Sequence, residues 1–305
     1  MRKIGYIAVD LGPELTLRAL SARLPGDWSR SGEPELLVCG TSDTSGGRAI
    51  EAAARRAARR RGASVVVVED FPGSYVAVPG GEPKLVVVES EFAAGLARAK
   101  EGALRTGVCP GVRYDGLRRR LAELRRGPES ERAVLWIGQP ETSDSVKTLR
   151  RLLPALVARG TRVWFRAHPR DEGYARGAYA GLPVEDVTSL PLDECFARRP
   201  RAAMTQFSSA AIEAGFWGIP SLNVLFPDAG ARALRAKKGY SVPPWCNEGA
   251  AFLIESTGEI DQTLDSALLS AQGREQVLQA FDRYFKVADE GAPALINLLY
   301  NQGLL

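Results

Sequence analysis

Two short stretches of this chain gather polar groups suited to an anionic ligand. The first is Thr205-Gln206-Phe207-Ser208-Ser209-Ala210-Ala211-Ile212-Glu213. Two hydroxyls stand just ahead of an apolar helical run. Either serine can cap that helix by accepting from a free backbone N–H. The sharper reading is an anion site: a helix start offers unpaired N–H groups and partial positive charge, and serine hydroxyls add donors for phosphate oxygens. Glu213 follows Ser209 by four residues, so both lie along one helix face. A carboxylate one turn from a phosphate can accept from the two ribose hydroxyls of a nucleotide. A solvent-facing Glu is the plain alternative. The second stretch is Arg166-Ala167-His168-Pro169-Arg170, which holds the only histidine. An imidazole at a strand end can donate to a phosphate or neutralise a departing one, or it can be a surface group held by a turn. Arg170 lies beyond the strand and is the better placed of the two arginines for phosphate.

A third stretch is acidic. Val65 to Val68 leads into Glu69-Asp70-Phe71-Pro72-Gly73. Side chains alternate along a strand, so Glu69 and Asp70 face opposite ways. One of them can act as general base toward a sugar hydroxyl; a turn-forming Asp before Pro-Gly is the alternative. Gly138-Gln139-Pro140 ends another strand and is expected to line the same cleft on topology alone. Thr41 to Gly47 is rich in glycine and hydroxyls but matches neither of the glycine-rich phosphate fingerprints. It reads as an acceptor loop or as a solvated loop with a helix cap.

The elements that must position these groups alternate. Apolar runs at 3–9, 36–40, 65–68 and 85–88 read as strands, with helices at 14–24, 48–61, 91–101 and 115–126. After Gly127 to Glu131, the best linker candidate, the alternation resumes. Strands are expected at 134–138, 162–167, 183–186, 202–204 and 221–225. Helices are expected at 144–159, 192–196, 209–217, 259–271, 273–288 and 292–300, and 228–250 reads as loop-rich. Two rounds of alternation predict an α/β protein of two doubly wound Rossmann-like domains facing a cleft. The expected division is 1–127 and 128–305.

The totals narrow the field. With 305 residues, 45% apolar and 25% charged, the chain has a globular composition. No segment reads as a signal peptide or a membrane span, so a cytoplasmic protein is expected. The four scattered cysteines suggest free thiols. The net charge of +4 is mild. The arginine clusters read mostly as solvated helix faces; the sharper reading is contact with phosphorylated substrates or, peripherally, an anionic membrane surface. No basic motif with interleaved aromatics points to nucleic acid. A single histidine excludes a multi-histidine metal site, and no Asp-x-Asp pair suggests a metal-bound nucleotide sugar.

His168-Pro169 at a strand end, then Ser208-Ser209-x-x-x-Glu213 and Gly218-x-Pro220 before a strand, resemble the C-terminal half of GT-B glycosyltransferases. The nearest patterns are the bacterial capsule and wall polymer enzymes of sialyl-, Kdo- and CDP-glycerol-transferase type. Glu69-Asp70-Phe71-Pro72-Gly73 resembles the acidic motif that supplies the base in such sialyltransferases. Gly107-x-x-Pro110-Gly111-x-Arg113-Tyr114-Asp115 resembles the end of their first domain. The resemblance implies transfer from a nucleotide-activated sugar, bound as substrate with no further cofactor, to a glycan or polyol-phosphate acceptor. It implies an N-terminal acceptor domain and a C-terminal donor domain. It assigns Gly138, Gln139, His168, Pro169, Arg170, Ser208, Ser209 and Glu213 to the donor, and Asp70 or Glu69 with His168 to catalysis. The alternatives are a nucleotide-sugar 2-epimerase or hydrolase, and a nucleotide- or glycan-binding protein that has lost the base.

Overall fold

The computed structural model describes residues 2–24, 26, 33–115, 121, 133–285 and 291–305. The linker at 127–131 and nearly all of the helix expected at 115–126 lie outside them. The chain forms two compact units, Met1–Arg119 with Val287–Leu305, and Arg120–Lys286.

The first unit holds a parallel sheet of β1 (Ile4–Ile7), β2 (Leu36–Cys39), β3 (Ser64–Val68), β4 (Leu85–Val88) and β5 (Thr106–Val108), in that order across the sheet. Both faces are covered, which is why these strands read as continuous apolar runs. Val66 and Val68 face a cluster that takes in Leu17 and Leu20 from the helix Leu11–Ser21. Val65 and Val67 face the opposite cluster, with Ala58 from the helix Ser45–Arg60 and Ala93, Ala94 and Ala97 from the helix Glu91–Lys100.

The expected division at 127 and 128 needs one correction. The terminal helix Gly291–Asn301 belongs to the first unit, where Leu295 and Leu299 are fully buried in the β1–β5 core. Burying two such side chains contributes about 3–6 kcal/mol. Cys109 Sγ donates to the Gly291 carbonyl (3.5 Å) and Ala292 N–H to Asp115 Oδ1 (3.4 Å), fixing where the helix starts.

The second unit holds β6 (Ala133–Ile137), β7 (Arg162–Arg166), β8 (Glu185–Asp186), β9 (Ala203–Thr205), β10 (Ser221–Val224) and β11 (Phe252–Ile254). All pairings are parallel, in the order β11-β10-β9-β6-β7-β8. The chain builds outward from β6 to β7 and β8, then returns to the other side of β6 with β9. The order therefore reverses between β6 and β9, and open α/β sheets bind ligands beyond the carboxyl ends of the strands at such a point. One face packs Val134 and Trp136 against Leu149, Leu152, Leu153 and Leu156 of the helix Thr142–Ala158. On the helix Ala210–Phe216, Phe216 meets Phe281 edge-on at 5.0 Å.

Several elements differ from expectation. The segment expected to be loop-rich contains the helices Gly230–Lys238 and Pro244–Asn247. Strands β5 and β11 are not expected from the sequence; each is three residues long, and Gly107 interrupts the first. Within the described residues, no helix is long and apolar enough to cross a membrane.

Candidate functional site

At the order reversal of the second unit, Thr205 ties the two strand ends together. Its hydroxyl donates to the Ile137 carbonyl (2.9 Å) and accepts from Gln139 Nε2 (3.2 Å) and from Ser208 N–H (3.4 Å). Gln139 is 4% exposed, so its amide braces the β6 loop rather than facing solvent. Gly138 lets β7 come close. A Cβ there would stand 3.0 Å from His168 N and 3.1 Å from the Arg166 carbonyl, both backbone atoms that cannot swing away. The sequence-predicted Gly138, Gln139, His168 and Ser208 are thereby brought to one corner of the sheet.

His168 is half-buried, and its Nδ1 accepts from Arg170 N–H at 3.0 Å. That bond puts the ring proton on Nε2 and leaves Nε2–H as the donor. Burial lowers the pKa of His168 to about 4, the Arg170 charge adds to this, and Glu141 opposes it. Near neutral pH the side chain is therefore a neutral hydrogen-bond donor rather than a cation, which refines the role read from the sequence. Pro169 and the Arg170 side chain are exposed beside it.

The loop carrying His168 is held from behind by Asp171, 5% exposed. Its backbone N–H closes a turn onto the His168 carbonyl (2.9 Å). Its carboxylate caps the helix Glu172–Ala175 through Gly173 N–H and Tyr174 N–H, and accepts from Tyr179 Oη (2.5 Å) and Thr142 Oγ1.

After β9, Ser208 Oγ accepts from Ala210 N–H (3.3 Å), a weak local cap. Ser209, in the cap position of the helix Ala210–Phe216, makes no side-chain cap bond. Of the two serines offered by the sequence, Ser208 carries the capping and Ser209 makes no side-chain cap bond. Glu213 N–H bonds the Ser209 carbonyl (3.3 Å), and its side chain is half-buried one turn on.

Two residues at this corner escaped the sequence. Lys237, in the last turn of the helix Gly230–Lys238, pairs with Glu141 and lies 5.9 Å from the Phe207 ring. Lys237 and Glu141 act on His168 in opposite senses, the lysine lowering its pKa and the glutamate raising it. Neither stands in a recognisable motif.

In the first unit the acidic turn resolves by direction. Glu69 is 8% exposed, and its Oε1 accepts Tyr75 N–H (2.8 Å), holding the Pro-Gly turn. Asp70 faces a small cavity of about 20 Å³ shared with Thr16, Glu89 and Arg113. Its oxygens accept from Arg113 Nη1 (both 3.3 Å) and from Thr16 Oγ1 (3.3 Å). Gly12 makes room for it, since a Cβ at residue 12 would lie 2.4 Å from Asp70 Oδ2.

The Thr41–Gly47 loop is tied to its neighbours, and Thr41 Oγ1 accepts from Asp70 N–H (3.0 Å). Thr44 caps the helix Ser45–Arg60 by accepting Gly47 N–H (3.1 Å), worth about 1 kcal/mol. Asp10 accepts from Asp43 N–H, Thr44 N–H and Thr44 Oγ1. Ser42 bonds the buried Glu51 through Oγ (2.5 Å) and N–H (2.9 Å), and burial raises the pKa of Glu51. Asp10 and Glu51 are further buried or bridging carboxylates that sequence reasoning did not single out. Arg55 departs from the solvated reading of the arginine clusters: it is 4% exposed and donates to the Gly81 and Val76 carbonyls.

The four cysteines are buried free thiols. Among the described residues, no group of three or more His, Cys, Asp or Glu side chains could hold a metal ion.

No protein-family model matches the sequence, and no curated protein sequence matches it. Solved structures do match. A Staphylococcus aureus MnaA–UDP complex aligns over 100% of this chain and 98% of its own at 12% identity, with a TM-score of 0.67. The spinosyn rhamnosyltransferase SpnG aligns over 99% and 100% at 13% identity and 0.58. The UDP-GlcNAc 2-epimerase of Methanocaldococcus jannaschii aligns over 95% and 82% at 10% identity and 0.53. At these identities the likeness establishes the fold: an α/β chain of two parallel-sheet, Rossmann-like domains, as in GT-B glycosyltransferases.

Proposed function

We propose that this protein is a metal-independent, GT-B-type glycosyltransferase that moves a sugar from a nucleotide-activated donor to a glycan or polyol-phosphate acceptor. The observation that carries the reading is the gathering of donors where the strand order reverses in the second unit. A neutral imidazole with a free Nε2–H and an uncommitted serine hydroxyl stand at the strand ends there, with a glutamate one helical turn beyond. These are the groups a nucleotide needs, hydrogen-bond donors for phosphate and an acceptor for ribose hydroxyls.

In this reading Ser208, Ser209 and His168 hold the donor phosphate, Arg170 adds charge and Glu213 takes the ribose. Asp70 accepts the proton of the acceptor hydroxyl while that oxygen attacks the anomeric carbon. The bond from that carbon to the phosphate oxygen breaks, and the nucleotide leaves with the electron pair. Nε2–H of His168 stabilises the charge that develops there. Asp70 is preferred to Glu69 because the Glu69 carboxylate already secures its own turn. Arg113 and Thr16 fix the orientation of Asp70.

A thermal-shift panel of UDP, CDP, CMP, GDP and dTDP tests nucleotide binding. A nucleotide at a hundred times its Kd raises stability by about 2.7 kcal/mol. No shift with any of them refutes the reading, as does unchanged binding and turnover in His168→Ala and Glu213→Ala. A second reading, a nucleotide-sugar 2-epimerase, is supported by the likeness to the M. jannaschii enzyme. It predicts conversion of the donor with no acceptor present, which product analysis by mass and NMR separates from transfer.

A further inference from the structure

The ion pair between Lys237 and Glu141 is unlike the others that join its two helices. Arg232 pairs with Asp144 (2.6 Å), and Lys147 and Arg151 both pair with Asp228, which stands two residues ahead of the helix Gly230–Lys238. Those contacts already tie the helices together. Lys237 and Glu141 stand instead at the end of the sheet. Glu141 follows the β6 loop, and Lys237 lies over Phe207, the residue before Ser208 in the β9 loop. The pair therefore spans the two loops that meet where the strand order reverses.

The glutamate is poorly served in that position. Glu141 Oε1 meets Lys237 Nζ, whereas Oε2 is buried and has no hydrogen-bond partner. A buried carboxylate oxygen without a donor bears its desolvation cost uncompensated. Glu141, Lys237 and Arg170 all act electrostatically on His168, and Lys237 lies over Phe207, one residue ahead of Ser208. Phosphate accepts from several donors at once, which one carboxylate oxygen facing one lysine does not.

We propose that Lys237 is a ligand for the phosphates of a diphosphate-bearing substrate, and that Glu141 holds the place of that anion in the free protein. The inference rests on the nucleotide-donor reading and adds to it a specific phosphate ligand and a competing internal anion. On substrate entry Lys237 exchanges Glu141 for phosphate, and Glu141 turns toward solvent. Ligands with one phosphate and little else gain less from the exchange than diphosphates. Glu141 thereby sets a threshold against small anions.

The test is isothermal titration of the full chain with inorganic pyrophosphate and, separately, with UDP. The proteins are wild type, Lys237→Met, Glu141→Gln and, as a control, Arg232→Met. Lys237→Met is expected to weaken both ligands about tenfold or more, the loss of one charge-assisted bond. Glu141→Gln is expected to tighten both several-fold, a gain that a misfolded protein cannot show. Arg232→Met removes a tie between the same helices and should leave both affinities unchanged. Weaker binding in Glu141→Gln, or wild-type affinity in Lys237→Met, overturns the proposal while leaving nucleotide binding intact. If wild type and Glu141→Gln bind neither probe, this inference and the nucleotide reading fall together.

Discussion

Asp171 offers the sharpest test of how the His168 loop is held. Its carboxylate is buried and accepts from two backbone N–H groups and two hydroxyls. Asp171→Ala removes the cap of the helix Glu172–Ala175, at about 1 kcal/mol. It also takes its charged acceptor from the hydroxyl of Tyr179, a residue only 7% exposed, which costs about 1.5–3 kcal/mol. The expected loss is about 3 kcal/mol. At about 2–4 °C per kcal/mol for a unit of this size, the melting point falls by about 6–12 °C. Asp171→Asn keeps one acceptor oxygen, and the two hydroxyls can rotate to accept from its amide, so about 1 kcal/mol is expected. Urea melts read at equilibrium give both numbers, and nucleotide titration of each folded variant follows. Because the Asp171 side chain fixes the turn whose backbone N–H closes on the His168 carbonyl, affinity should fall in Asp171→Ala by more than in Asp171→Asn. An Asp171→Ala protein that loses less than about 0.5 kcal/mol, or binds nucleotide as wild type does, refutes this account of the loop.

Other outcomes follow from single residues. The one histidine gives one set of imidazole signals in a proton NMR titration, and these should titrate near the lowered value of about 4; a midpoint near 6.5 contradicts the buried, cation-flanked setting. Because the folded pKa lies below the unfolded one, the His168 contribution to stability is full above about pH 6.5. It is lost as pH falls through that range toward 4, so an acid melt of His168→Gln should be flatter there than that of wild type. Gly138→Ala forces β6 and β7 apart and should cost about 1–3 kcal/mol, seen as a shifted urea midpoint at unchanged slope. Burial raises the pKa of the Cys109 thiol to about 12 and pushes up those of Cys39, Cys195 and Cys246, so a thiol reagent at pH 8 should titrate all four only after denaturation.

The strands were legible wherever apolar runs were long. Leu85–Val88 matches its expected bounds, and Ser64–Val68 extends the run of four valines by one residue. A parallel strand buried on both faces has only apolar positions to show. Residues 106–108 and 252–254 were too short to stand out, and Gly107 breaks the first of them. The helix Gly230–Lys238 was hidden by its composition: three alanines, one leucine and four cations give a weak apolar stripe, so the lysine at its end went unread. The burial of Glu51 and Arg55 was equally invisible, because each lies in a run of charged and small residues that suits a solvated face. Periodicity reports which face of a helix is apolar. It does not report that a buried carboxylate has found Ser42, or that a guanidinium has found two carbonyls.

The acidic pair at the end of β3 shows how the two kinds of information combine. Strand alternation requires Glu69 and Asp70 to diverge, but the sequence contains nothing that ranks them. The ranking comes from Tyr75, six residues on, and from two residues far along the chain. Tyr75 turns its backbone N–H onto Glu69, and Arg113 and Thr16 converge on Asp70. A Cβ at residue 12 would meet the Asp70 carboxylate, so the glycine there and the aspartate form one unit of design. Gly12→Ala is therefore expected to mimic loss of Asp70. It should swing the carboxylate away from Arg113 and lower turnover as Asp70→Asn does, while leaving nucleotide affinity, which the proposed donor site assigns to the other unit, unchanged. A Gly12→Ala enzyme with wild-type turnover would remove Asp70 from the proposed chemistry.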